Sequence, residues 1–276
     1  MRHSGHAGCR ASVTRIAKSV KIVAIVLGIV LGVAGGQTAP PQKKAPVPEQ
    51  EKFLRRLAKW LGIDPDLYVK ISAPRGGAEQ MVGSTIARAD LARHTEEVVS
   101  KCGSCWSLAV IGEEFAVLKS DGVWTVSTQG GELRQRVKTR GLQDIIGPVA
   151  ERTGWLLVAA RRDEPACEFR LETLDLSTSK QEPLPEGTAC LTEGDLGALV
   201  KPGAVRAGQY LSASEPGPDP IRLLVAQIRT SAIGPRPPNQ PVLPWLKGQG
   251  ERVNRFAPVW LTDTSIAYLR RDKEAR

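Results

Sequence analysis

Histidine is almost missing from this chain. Of the three in 276 residues, His3 and His6 lie before the first long apolar run, which leaves His94 for the rest. A Ser-His-Asp hydrolase needs a histidine beside its nucleophile and acid, and no Gly-x-Ser-x-Gly elbow accompanies His94. Phosphate cradles are lacking too: there is no Gly-x-x-x-x-Gly-Lys-Ser/Thr and no strand–Gly-x-Gly–helix unit. Glu96-Glu97 and Glu113-Glu114 are adjacent pairs, and adjacent side chains on a strand point to opposite faces. Neither pair forms an acid/base couple. There is one long apolar run and no second, which excludes a polytopic membrane protein. No catalytic, cofactor or metal site is expected, and the chain reads as non-enzymatic.

What is present begins with a targeting pattern. Arg2, Arg10, Arg15, Lys18 and Lys21 form a basic segment without an acid, and residues 22–36 are purely apolar. That run is short for a spanning helix and suits a signal peptide over residues 1–36, with Ala34-Gly35-Gly36 as a small-x-small cleavage site. An uncleaved signal anchor is the rival. Both place the body of the protein outside the cytoplasm, in the periplasm or anchored at the inner membrane. Cys9 precedes the apolar run, so it is not a lipoprotein cysteine.

Four further cysteines fit export. In an oxidising compartment an even count suggests two disulfides, and chain proximity favours Cys102–Cys105 and Cys167–Cys190. Cys102-Gly-Ser-Cys105 also has zinc-knuckle spacing, but no second Cys-x-x-Cys follows. A redox-active pair is a third reading, although the residues after Cys105 look like strand where a thioredoxin-like site has a helix.

Residues 37–48 hold four prolines and two lysines and read as an extended spacer. Residues 49–62 read as an amphipathic helix. Phe53, Leu54, Leu57, Ala58 and Leu61 share one face, Lys52, Arg55, Arg56 and Lys59 lie opposite, and Gly62 provides the stop. Two roles remain open. Lys52, Phe53, Arg55, Arg56, Lys59 and Trp60 suit the surface of an anionic membrane. Alternatively, the helix docks its apolar face on the main domain, because so short a helix needs packing to persist.

From residue 67 to 276 the pattern is one of short strands punctuated by Gly, Pro and Asp, as at 115–118, 123–127, 155–159, 169–176, 223–228 and 265–269. Such spacing predicts an all-β fold. The strands recur in units. One holds Trp106-Ser107, Phe115-Ala116 and Gly122-Val123-Trp124. A second starts at Trp155 and a third holds 223–228. The fourth holds Pro258, Trp260, Asp263, Ile266, Ala267 and Tyr268. Two Pro-rich loops, 215–220 and 235–241, interrupt the third unit. The second loop, with Leu243, Pro244 and Trp245, either wedges into a partner or runs along the surface.

The fourth unit resembles the repeat of TolB-type, WD40-like bacterial β-propellers, in which a Pro-x-Trp-Ser-Pro-Asp-Gly strand precedes an Ile-Ala-Phe strand. Leu261, Thr262 and Thr264 depart from that consensus. Trp106, Ser107, Phe115, Ala116, Gly122 and Trp124 match in the first unit. The resemblance implies a β-propeller, with Asp263 bonding its turn backbone and the tryptophans packing between blades. It does not imply one activity. About three repeats of roughly 40–50 residues fit between Trp106 and Trp260. The last unit has two strands, and residues 82–99 supply two more. A four-bladed ring closed by N- and C-terminal strands is therefore expected, with an incomplete ring as the alternative.

Charge narrows the partner. The formal charge is +9, yet residues 61–276 hold 27 basic and 27 acidic residues. The excess lies in residues 1–60, where it suits targeting and an anionic membrane. It gives no support to nucleic-acid binding. The sequence thus predicts an exported binding or scaffold propeller with a protein partner in the bacterial cell envelope. A membrane-anchored sensor ectodomain is the first alternative. A propeller enzyme, using a metal or the Cys102/Cys105 pair, is the second.

Overall fold

The computed structural model describes residues 49–71, 82–164, 167–184, 190–206, 208–213, 221–227, 240–246 and 253–272. The expected targeting segment 1–36, spacer 37–48 and Pro-rich stretches 215–220 and 235–239 lie outside the described residues.

Seventeen strands occur among the described residues. The first two are β1 (Gly83–Asp90) and β2 (Thr95–Cys105). Next come β3 (Ser107–Ile111), β4 (Glu114–Lys119), β5 (Gly122–Ser127) and β6 (Arg134–Lys138), a meander that makes the first blade. The second blade contains β7 (Leu142–Pro148), β8 (Trp155–Glu164), β9 (Cys167–Asp175) and β10 (Gln181–Pro183), with the short β11 (Cys190–Leu191) also on β9. The third contains β12 (Val205–Arg206), β13 (Gln209–Ala213), β14 (Leu223–Gln227) and β15 (Gln240–Pro241). The last strands, β16 (Val253–Thr262) and β17 (Ser265–Asp272), pair with β1 and β2 in the order β16-β17-β1-β2. This shared blade closes the ring, with Ile86 opposite Leu269 and Ala89 opposite Ile266. The fold is an all-β, four-bladed propeller, as the repeat arithmetic predicts.

Each blade is covered on both faces, which explains its near-continuous apolar runs. In β8, Leu156, Val158 and Ala160 enter the core shared with the first blade, while Leu157 and Ala159 enter the core shared with the third. Phe115, Val117, Phe256 and Leu269 fill the joint between first and shared blades. Ala87, Leu211, Leu223 and Tyr268 fill the joint between third and shared blades.

The remaining joint contains helices. α1 (Glu49–Trp60) ends in a Schellman motif: the Ile63 N–H donates to the Ala58 carbonyl and the Gly62 N–H to that of Lys59. Gly62 takes φ 66°, and a Cβ there would stand 3.0 Å from Ala150 Cβ. Asp64 caps α2 (Pro65–Ile71) by accepting from the Asp66 and Leu67 N–H groups. Leu54, Leu57, Ala58, Leu61, Tyr68 and Ile71 pack with Ile146, Leu157, Phe169 and Tyr210. The helices are therefore a wedge between the second and third blades. The docking alternative for residues 49–62 is the one realised. Residues 67–71, expected to begin the strand domain, instead complete α2, because their aromatic and aliphatic side chains face this joint. The sequence reading also missed α3 (Glu193–Ala198), which Thr192 and Asp195 start with a reciprocal capping box.

Candidate functional site

In a propeller the inner strands surround an axis. Here β3, β7 and β16 do so, and a single-turn helix (Pro202–Ala204) leading into β12 occupies the space between them. Two glycines permit this close approach. A Cβ on Gly147 would meet Pro202 Cγ at 2.8 Å, and one on Gly203 would meet Val259 Cγ1 at 3.1 Å.

Just ahead of that turn, Lys201 reaches back to two blades. Its ammonium donates to Asp144 Oδ1 at 2.6 Å and to Ser107 Oγ at 2.8 Å. The Ser107 hydroxyl donates to Asp144 Oδ1 at 2.6 Å and accepts from the Ile145 N–H at 3.0 Å. Trp106 Nε1 donates to the Gln143 carbonyl on the same strand approach. Ser107 is sealed from solvent, and the lysine and aspartate side chains are 19% and 22% exposed. The lysine is engaged by a carboxylate and the serine is inaccessible, and the trio clasps three blades together. An adjoining cavity of about 60 Å³ is lined by Leu108, Ala109, Val110, Ile146, Gly147, Pro148, Lys201, Gly203 and Val259. It has room for one or two waters and is far below the volume of a small-molecule site.

A second polar cluster lies on the shared blade. Glu96 accepts from Arg255 Nε at 3.2 Å and from the Tyr268 hydroxyl, with Arg270 Nη1 at 3.7 Å. Burial pushes the Glu96 carboxyl up, but hydrogen bonds from Arg255 and Tyr268 and the charges of Arg255 and Arg270 outweigh it. The net result lies below the usual carboxylate range. Burial, followed by the adjacent Glu96 charge, pushes the Tyr268 phenol well above its usual value. Every charge here has a partner, as buried charge requires. Glu97, its chain neighbour, points to the other face and pairs with Arg88.

Both disulfides join the pairs that chain proximity favours. Between the pairs Gly83–Cys105 and Thr85–Lys101, β1 advances two residues while β2 advances four. The Cys102–Cys105 bond bridges this bulge, with Gly103 at φ 67° and exposed. Cys102 and Cys105 are buried on a strand, an inert setting, since reactive thiols need exposure and an electropositive neighbourhood. Cys167–Cys190 ties β11 to the edge of the second blade. Two such bonds are consistent with an oxidising compartment. Among the described residues, no group of three His, Cys, Asp or Glu side chains is placed to hold a metal ion. No helix there is long and apolar enough to cross a membrane.

The motif tryptophans are half-buried packing residues. Three carry a cation on the ring: Lys119 over Trp124 at 4.4 Å, Arg152 over Trp155 at 4.7 Å and Arg206 over Trp260 at 4.6 Å. Trp106 and Trp260 are not equivalent positions. Trp260 pairs with Ile266, whereas Phe115, the counterpart of Ile266, pairs with Val110, four residues beyond Trp106. Asp263 does not take the expected turn role. It is 91% exposed and pairs with Arg206, while Thr262 Oγ1 accepts from the Thr264 N–H. Phe115, Ala116, Ile266, Ala267 and Tyr268 are buried as the repeat implies, and Gly122, at φ 139°, would clash with the Val137 carbonyl if it carried a Cβ. Pro258 lies in an irregular stretch of β16 beside Ala257, at φ 49°.

His94 occupies the β1–β2 turn at φ 57° and stacks on Trp245, ring centroids 4.6 Å apart. Trp245 thus folds back on its own chain. On α1, Lys52, Arg56 and Lys59 are exposed, whereas Phe53 and Trp60 pack against the helix-bearing joint. Lys52 pairs with Glu49 and Arg55 with Glu51. With its apolar face in that joint, α1 offers lipid only its cations.

Sequence reasoning missed Asp144, Lys201 and Arg255, and weighed Glu96 only as half of the Glu96-Glu97 pair. No motif surrounds them, because they converge from strands 57 and 159 residues apart. Ser107 was singled out for its repeat position alone.

No protein-family model matches the chain, and no curated protein does. Among solved structures it is similar to the N-terminal domain of Nup159, at 11% identity and TM-score 0.22 over 61% of this chain and 38% of that one. It is also similar to a chain of the complex of an S. cerevisiae Dbp5 variant bound to Nup159, a Gle1 variant, IP6 and ADP, at 10% identity and TM-score 0.22 over 70% of this chain and 52% of that one. The chain therefore spans about half or less of the length of those chains. The assignment of four blades rests on the sheet topology and on the register across β1 and β17.

Proposed function

We propose that this protein is an exported, non-enzymatic binding or scaffold module of the bacterial cell envelope, of the TolB-like, WD40-like kind. The observation that carries the reading is the closed axis. Lys201, Asp144 and Ser107 clasp the inner strands, and Pro202 fills the space where propeller enzymes keep a substrate channel. That arrangement leaves the outer surfaces for recognition. Paired cysteines and the basic–apolar pattern of residues 1–36 support export to the periplasm, with the neutral body outside.

A second reading, a membrane-anchored sensor ectodomain, is favoured by the helix wedge. α1 follows the spacer directly and inserts between two blades, so an anchor would pull on the ring itself. N-terminal sequencing of the exported protein separates the two: a start near Gln37 removes the anchor. The scaffold reading is tested by affinity capture from envelope extract under mild conditions. Specific recovery of a stoichiometric partner supports it. Recovery of none, together with hydrolase or thiol-exchange activity in the purified protein, overturns it.

A further inference from the structure

Each blade ends in an outer edge strand whose backbone N–H and C=O groups face away from the sheet, a template that proteins usually cover or disrupt. Three of the four edges are covered, tied down or very short. β2 is bulged and bridged by Cys102–Cys105, and the 127–131 loop of the first blade lies along it: the Ser100 hydroxyl donates to the Gly131 carbonyl at 3.0 Å. β10 has three residues, and β11 beside it is tied down by Cys167–Cys190. β15 has two residues.

The fourth edge, β6, is bulged between its pairs with Val123 and Trp124, yet it is longer than β10 and β15, pairs with β5 on one side, and has no described strand on the other. It is also the most basic part of the folded body. Arg134, Arg136, Lys138 and Arg140 fall within seven residues, with no acid between Glu132 and Asp144. Arg136 is held by Glu114 at 2.7 Å and by Thr125. Arg134, Lys138 and Arg140 are exposed and have no ion pair among the described residues. In a body with equal numbers of acids and bases, this concentration of unpaired cation along one free edge is local and directional.

We propose that β6 receives an extended, acidic peptide segment of a partner protein, which adds a fifth strand to the first blade. The inference rests on reading the propeller as a binding module. Peptide is the class the edge fits. A strand edge alternates donors and acceptors, and another peptide backbone satisfies both. A nucleic acid or lipid phosphate would engage the cations and donors but leave the carbonyls unmatched. Arg134, Lys138 and Arg140 then select Asp or Glu side chains, and Val137, buried against the first–second joint, keeps the strand in register.

The test uses the full chain and a fluorescein-labelled dodecapeptide of alternating glutamate and valine, read by anisotropy. Saturable binding is expected. It should weaken about tenfold in the Arg134→Gln/Lys138→Gln/Arg140→Gln variant, since exposed charge pairs are individually small but three act together. It should disappear when alternate backbone amides of the peptide are N-methylated. Equal binding of the N-methylated peptide, or of a single-stranded oligonucleotide, would show charge attraction without strand addition and overturn the proposal. So would absence of peptide binding combined with aggregation of the triple variant, which would make the cations an edge guard. Circular dichroism checks that the variant folds, and Arg134→Ala/Arg140→Ala is the milder substitute. Envelope capture separates the two levels. A partner retained by the triple variant ends the β6 assignment alone, whereas capture of nothing by the parent protein, together with hydrolase or thiol-exchange activity, ends the binding-module reading.

Discussion

Lys201→Met should destabilise the ring by about 2 kcal/mol. Removing one member of a fully buried ion pair costs roughly 3–5 kcal/mol, because the remaining charge has no partner. Lys201 and Asp144 keep 19% and 22% of their side-chain exposure, and water at the remaining carboxylate reduces the cost to about 2 kcal/mol. For a domain of this size that corresponds to a fall in Tm of roughly 4–8 °C. Replacing both charges, as Lys201→Met/Asp144→Leu, should recover most of the loss and lie within about 1 kcal/mol of the parent, since neither charge is then orphaned. Urea denaturation followed by tryptophan fluorescence measures the parent, the single variants Lys201→Met and Asp144→Leu, and the double variant. A single-variant cost below about 0.5 kcal/mol, or a double-variant cost equal to the sum of the two single ones, would refute the clasp.

Other expectations follow from the same structure. Leu57→Ala, at a side chain only 2% exposed in the wedge joint, should cost about 2–5 kcal/mol in denaturant titration. Loss of Cys167–Cys190, which closes a separation of 23 residues, should destabilise by about 3 kcal/mol, against about 2 for Cys102–Cys105 with a separation of 3; paired Cys→Ser variants test the order. The Glu96 carboxyl lies below its usual range when folded, so its contribution is present above the unfolded carboxylate value. That contribution is lost as pH falls through the lower folded value. Glu96→Gln should therefore flatten the acid limb of the stability–pH curve, and an unchanged slope would count against the cluster. Asp175, held at about 2 first by the Ser177 hydroxyl and then by the Thr178 hydroxyl and the Ser177 amide, should titrate near that value by NMR, and Ser177→Ala should raise it.

The blades were legible because both faces of their central strands are buried. Runs such as 155–159, within β8, and 223–228, over β14, read as strands without any knowledge of the ring, and the closure by β1 and β2 followed from counting strands. Cysteine proximity was enough for both disulfides. The phase of the repeat was less legible: Trp106 and Trp260 share a letter and a blade layer but stand four residues apart in strand position. Three elements escaped altogether. α2 and α3 have only seven and six residues, too few for their period to be seen. The axial clasp joins Ser107, Asp144 and Lys201 from three blades, and no local pattern connects side chains that meet only through the ring. The helix wedge was half visible. The amphipathic face of α1 was plain, but which surface it covers depends on a joint made from strands 85 or more residues later.

The central claim is one closed ring with the helix wedge built into it. Hydrogen exchange followed by mass spectrometry on the native protein tests it directly. Amides of β1, β17 and α1 should exchange as slowly as those of β4 and β8, because all of them open only with the whole ring. Fast exchange in β1 and β17 while β4 and β8 stay protected would mean an open ring. Fast exchange in α1 alone would mean that the helices lie on the surface and are not part of the core.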